Sequence, residues 1–69
     1  MSEALLLSMV ERYPNPTALA RRVRDGSLFV GLHRLEARGF LTRRRGLYRL
    51  TRRGRDELAL RHALARLVT

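Results

Sequence analysis

The sequence predicts one mainly α-helical domain with a small β-hairpin, in the order helix-helix-helix-strand-strand-helix. Three observations carry this. Apolar residues recur at helical spacing in four separate stretches. Pro14-Asn15-Pro16, Asp25-Gly26 and Gly39 punctuate them. Arg45-Gly46 then lies as a tight turn between two short β-friendly runs, residues 40–44 and 47–51. With 69 residues there is room for one domain, whose core is small and marginal.

A first helix is expected over residues 2–13. Ser2 caps it, Glu3 complements its dipole, and Leu6, Met9, Val10 and Tyr13 form a core stripe. Leu5 and Leu7 widen the apolar surface beyond one stripe, which calls for unusual burial or for a partner on the helix's other side. Residues before proline avoid the α region, so Pro14 and Pro16 end the helix. The second helix is placed over residues 17–24 with Thr17 as its cap. It turns Leu19 and Val23 inward and leaves Arg21, Arg22 and Arg24 outside.

The third helix, residues 27–38, is the element the rest of the chain holds. Leu28, Gly31, Leu32 and Leu35 share one stripe, and Phe29, Val30, His33, Arg34 and Ala37 share the opposite side. Ser27 is the expected N-cap, after an Asp25-Gly26 turn, and Gly39 the expected end. In the hairpin, Tyr48 and Leu50 fall on one face and Leu47, Arg49 and Thr51 on the other, with Arg43, Arg44 and Arg45 at the tip. Thr51 caps a last helix, residues 52–68, with Asp56 and Glu57 near its positive end and a Glu57–Arg61 pair at i,i+4. A helix of that length spans about 25 Å, more than so small a core needs. Leu58 points inward, while Leu60, Leu64 and Leu67 continue as a stripe past the domain. A second copy of the chain is the simplest cover for that stripe and, across the two-fold, for Leu5 and Leu7.

The net charge is +9, and all fifteen basic residues are arginine. That charge favours polyanionic partners, nucleic acid first. Arginine's planar fork suits phosphates and guanine edges. Lys, Ile, Gln, Cys and Trp are all absent, as a G- and C-rich coding bias would also produce, so the positions of the arginines matter more than their number. The lack of cysteine excludes disulfides and thiolate metal sites. No signal peptide, membrane span or separate sensor domain is expected, and the chain reads as cytoplasmic and nucleoid-associated.

Two short, tightly joined helices followed at once by a basic hairpin make a winged helix-turn-helix. Moreover, GSLFVGLHRLEARGFL closely resembles the G-T-L-Y-P-A-L-H-R-L-E-x-x-G-L-I stretch of PadR-type transcriptional regulators. Residues 47–55, LYRLTRRGR, resemble the Y-x-L-T-x-x-G-x wing-to-helix junction of that family and of the related MarR group. The two motifs cover positions 26–58 in matching order and spacing. The resemblance implies a DNA-binding repressor that dimerises through its C-terminal helix. Ser27, Phe29 and Val30 match the family's Thr, Tyr and Pro beside the DNA, and His33-Arg34 its His-Arg pair. Phe29 lacks tyrosine's hydroxyl, the wing is short, and no tryptophan is present to stack on an aromatic effector.

The expected partner is therefore double-stranded DNA, bound by a homodimer, with no membrane, metal or cofactor involved. Arg34 and His33 are candidate base readers, and Phe29, Val30 and Ala37 candidate contacts to thymine methyls. Arg43, Arg44, Arg45 and Arg49 are assigned to the backbone or minor groove, and Arg21 and Arg22 to phosphates. The dimer interface is assigned to Leu5, Leu60, Leu64 and Leu67. The alternative is a winged-helix interaction module that binds RNA polymerase or another regulator. Catalysis has no footing: His33 and His62 lie on different helices, and no serine has a nearby His–carboxylate pair.

Overall fold

The computed structural model describes residues 2–23 and 26–68. Helices α1 (Glu3–Arg12), α2 (Pro16–Arg22) and α3 (Leu28–Ala37) precede strands β1 (Leu41–Arg44) and β2 (Leu47–Leu50), and α4 (Arg52–Val68) closes the chain. The element order is the one expected. The Arg24-Asp25 part of the α2–α3 connection lies outside the described residues.

Side-chain caps set the starts of three helices. Ser2 Oγ accepts from the Leu5 amide at 3.1 Å. The cap of α2 is Asn15, not Thr17: Asn15 Oδ1 accepts from the Thr17 amide at 2.9 Å, and Pro16 occupies the first helical position. Proline there gives up only an amide that has no helical partner anyway. This helix stops at Arg22, with Val23 extended as its C-cap, two residues short of the expected end. Ser27 does precede α3, but at φ −91°, ψ 3° its side chain makes no capping bond. The turn backbone at Gly26-Ser27 takes the place of the extended conformation that capping needs.

The end of α3 is built more tightly. Gly39, at φ +80°, lets the Gly39 amide reach Glu36 O at 3.0 Å and the Phe40 amide reach Leu35 O at 2.9 Å. This pair of bonds is the Schellman closure, and Phe40 and Leu35 supply its apolar contact from within the core. Phe40 is thus spent on ending the helix rather than on opening the strand. The hairpin begins at the next residue and runs antiparallel, with Leu41 opposite Leu50 and Arg44 opposite Leu47. Its two-residue turn has positive φ at both positions, Arg45 at 51° and Gly46 at 78°. That is the primed turn that matches the strands' natural twist.

Thr51 joins the pieces. Its amide donates to Phe40 O at 3.0 Å, its hydroxyl donates to Gly39 O at 2.6 Å, and the same oxygen accepts from the Gly54 amide at 3.0 Å. It ends β2, holds the end of α3 and caps α4 at once. A Cβ on Gly54 would overlap Phe40 O, so only glycine lets α4 start against that backbone. On its other side the hairpin is tied to the α1–α2 connection by the Tyr48 amide, which donates to Pro14 O at 2.8 Å.

One core gathers every element: Leu6, Leu7 and Val10 from α1, Leu19 from α2, Leu28, Leu32 and Leu35 from α3, then Phe40, Leu41, Tyr48, Leu50 and Leu58. Leu7 is fully buried in its own fold, so it needs no partner copy. Helix α1 packs against both α3 and α4, so two of its sides are covered instead of one. Met9 and Tyr13 pack only at the core's margin. The first turn of α4 carries no acidic residue: Asp56 and Glu57 fall in the second turn, and Arg52, Arg53 and Arg55 precede them. The expected Glu57–Arg61 pair forms, with Arg61 Nε donating to Glu57 Oε1 at 2.9 Å.

Candidate nucleic-acid interface

The outward surface of α3 follows from what pins its inward one. Leu28, Leu32 and Leu35 are each at most 3% exposed. A period of 100° per residue then forces Phe29, Val30, His33, Arg34 and Ala37 to the opposite side, and all five are exposed. Phe29 and Val30 are about half exposed, at 50% and 52%. Phe29 and Val30 thus put apolar surface on the same side of the helix as Arg34. Val30 and Arg34 also border a shallow groove between α3 and the start of α1, floored by Leu6 and Leu28 and edged by Glu3.

Glu3 does not neutralise Arg34. Its carboxylate is engaged by Arg38, whose Nη1 lies 2.6 and 2.7 Å from the two oxygens. Among the described residues the ion pairs are Arg38–Glu3 and Arg61–Glu57, and neither uses a candidate residue. The guanidinium groups of Arg21, Arg34, Arg44, Arg45 and Arg49 therefore remain available to an outside anion.

The hairpin divides its arginines. In the register Arg43 faces Tyr48, and Arg44 faces Leu47. Alternation puts Arg43 on the same face as the buried Tyr48, and its guanidinium lies over that ring at 5.5 Å. Arg44 and Arg49 share the outer face with Thr42 and Leu47, and all four are exposed. The expected cluster of four is thus three outward arginines, Arg44, Arg45 and Arg49, around Leu47, with Arg43 lying across Tyr48. Arg45 sits in the left-handed region, where asparagine or glycine is the ordinary choice. An arginine there places a guanidinium at the tip despite the backbone's preference.

Helix α2 carries the two expected arginines on its surface. Arg21 and Arg22 are exposed, but Arg22 stacks on Tyr13 at 5.0 Å. A stacked guanidinium still presents its N–H edge, so phosphate contact and stacking are compatible.

Sequence reasoning missed a second arginine group. Arg38 and Arg53 both lie over Phe40, at 5.1 and 5.2 Å, and Arg55 donates to Leu50 O at 3.2 Å. These side chains brace the α3–hairpin–α4 junction, and their legible signal was the arginine run continuing from the hairpin into α4. The dimer candidates Leu5, Leu60, Leu64 and Leu67 are exposed, at 52%, 55%, 52% and 82%.

The hairpin is thus fixed to α3 at three points: the Schellman turn, the Thr51 hydroxyl and the Leu41 side chain in the core. No helix among the described residues is long and apolar enough to cross a membrane. No protein-family model, curated protein or solved structure matches this chain.

Proposed function

We propose that this protein is a sequence-specific double-stranded DNA-binding transcriptional regulator that acts as a homodimer and represses by occupying its operator. The outer face of α3 enters the major groove, and the hairpin tip lies on the backbone or in the minor groove. One observation carries the reading. An exposed helical face bearing Arg34 and an arginine-tipped hairpin are bonded to each other through Gly39, Phe40 and Thr51, so they meet a surface as one rigid body. The net charge of +9 and the resemblance of residues 26–58 to PadR-type regulators support it.

Base reading falls to Arg34, whose fork fits guanine O6 and N7, and to His33, with Phe29 and Val30 against thymine methyls. Phosphate contact falls to Arg21, Arg22, Arg44, Arg45 and Arg49. The exposed Leu60, Leu64 and Leu67 stripe of α4, joined by Leu5, serves as the dimer seam. A two-fold dimer then reads a pseudo-palindrome whose half-sites lie about one helical turn apart.

Salt titration tests the reading. A dimer that neutralises about 6–10 phosphates loses roughly 10³–10⁵ in affinity between about 50 and 200 mM salt. The half-exposed Phe29 and Val30 favour a second reading, docking on another protein such as RNA polymerase. That reading predicts affinity nearly independent of salt over the same range.

A further inference from the structure

We propose that Leu47 is a wedge that enters the minor groove and kinks the duplex at a base step, while Arg44, Arg45 and Arg49 hold the phosphates on either side. The inference rests on the duplex-binding reading above and adds a specific mode of engagement to it.

Leu47 does nothing for the core. Alternation sends its neighbours Tyr48 and Leu50 inward, where they are 2% and 8% exposed, and leaves Leu47 at 42% on the outer face. There it stands opposite Arg44 and one pleat from Arg49, and the hollow around it is lined by Arg44, Arg45, Leu47 and Arg49. A strand facing water is served as well by threonine or arginine, the residues its neighbours on that face carry.

The partner must accept an apolar side chain and three guanidinium groups within one small patch. An apolar protein pocket would have to strip water from three charges to reach the leucine. A nucleic-acid groove meets both demands, because its walls are phosphates and a base step opened between them offers apolar ring faces. The minor groove is about 6 Å wide, so the narrow end of the hairpin, from Arg44 to Leu47, enters it rather than the whole ribbon. The primed turn holds that tip in one conformation, with positive φ at both Arg45 and Gly46. Apolar side chains inserted at a base step unstack it and bend the duplex by about 20–90° toward the major groove. Steps such as TA and CA yield most easily, so the wedge confers a sequence preference without any base hydrogen bond.

The test uses the full chain and end-labelled duplexes that carry a site recovered from a random pool, with either a TA step or a stiff A-tract where the hairpin lies. Energy transfer between the ends reads the bend, and titration reads the affinity. The wild type bends the TA duplex by at least about 20° and prefers it to the A-tract duplex. Leu47→Ala loses both the bend and the preference, while Leu47→Met keeps them. Circular dichroism checks that each variant is folded, as the exposure of Leu47 predicts. Binding without a bend, or an undiminished bend in Leu47→Ala, overturns the wedge and leaves the duplex-binding reading standing. No duplex binding by the wild type overturns both. Leu47-dependent binding to phosphatidylserine vesicles, with duplexes left straight, reassigns the tip to a lipid surface and overturns the wedge.

Discussion

Helices α3 and α4 both expose apolar side chains, and the contrast between them separates two uses of such residues. Helix α3 has ten residues, three of them leucines locked in the core, and its end is closed by a Schellman turn. Its outward Phe29 and Val30 are therefore held on a fixed platform. Helix α4 has seventeen residues, but its buried positions are Gly54 and Leu58 alone, both in its first half. From Ala59 onward the described residues have no buried member, and Leu67 and Val68 are more than 80% exposed. A platform suits a rigid ligand that must be read in register. A projecting, alternately apolar arm suits a second copy of itself, which supplies the missing half of a core.

The contrast makes unequal predictions for leucines on the two helices. Leu32→Ala opens a cavity beneath the platform and should cost about 2–5 kcal/mol in urea unfolding, a large share of so small a domain's stability. A cost within about 0.5 kcal/mol would mean that α3 is not pinned as described. Next in size, Arg34→Ala should weaken binding to a selected site by roughly 1–3 kcal/mol and relax one base position. An equal loss on random duplex would remove Arg34 from base reading. Replacing both Arg44 and Arg45 with alanine should weaken selected and random duplex alike and make the salt slope shallower by about 2. Smallest for the fold of one chain is Leu64→Glu, which should change its stability by no more than about 0.5 kcal/mol. The same change should shift sedimentation from dimer to monomer. A dimer that survives it places the seam elsewhere.

The fold was legible wherever one periodicity met one core face. The Leu28, Leu32, Leu35 stripe, the Tyr48 and Leu50 alternation and the Arg45-Gly46 turn each have a single reading, and the structure realises each one. Legibility failed where an element has more than one neighbour or a cap more than one candidate. Leu7 lies off the main stripe of α1 and is buried all the same, in a helix that packs against α3, α4 and β2. Asn15 and Thr17 are both good caps, and the proline between them decides in favour of Asn15 because it fits the first helical position. Of the candidate site, the exposure of Phe29, Val30, His33 and Arg34 followed directly from the period. The split of the hairpin arginines was within reach: a two-residue turn sets Arg43 opposite Tyr48, and the alternation already had Tyr48 buried. The brace formed by Arg38 and Arg53 over Phe40 was not, because it depends on α4 starting against the Phe40 backbone, a contact long-range in structure and silent in pattern.

The measurement closest to the central claim is selection from a random-sequence duplex pool by the full chain, followed by sequencing of what it retains. A platform helix and a tip arginine group acting together in a dimer predict a pseudo-palindromic consensus with half-sites about one helical turn apart. Retained duplexes with no shared sequence, or no retention at salt concentrations near physiological, would contradict it.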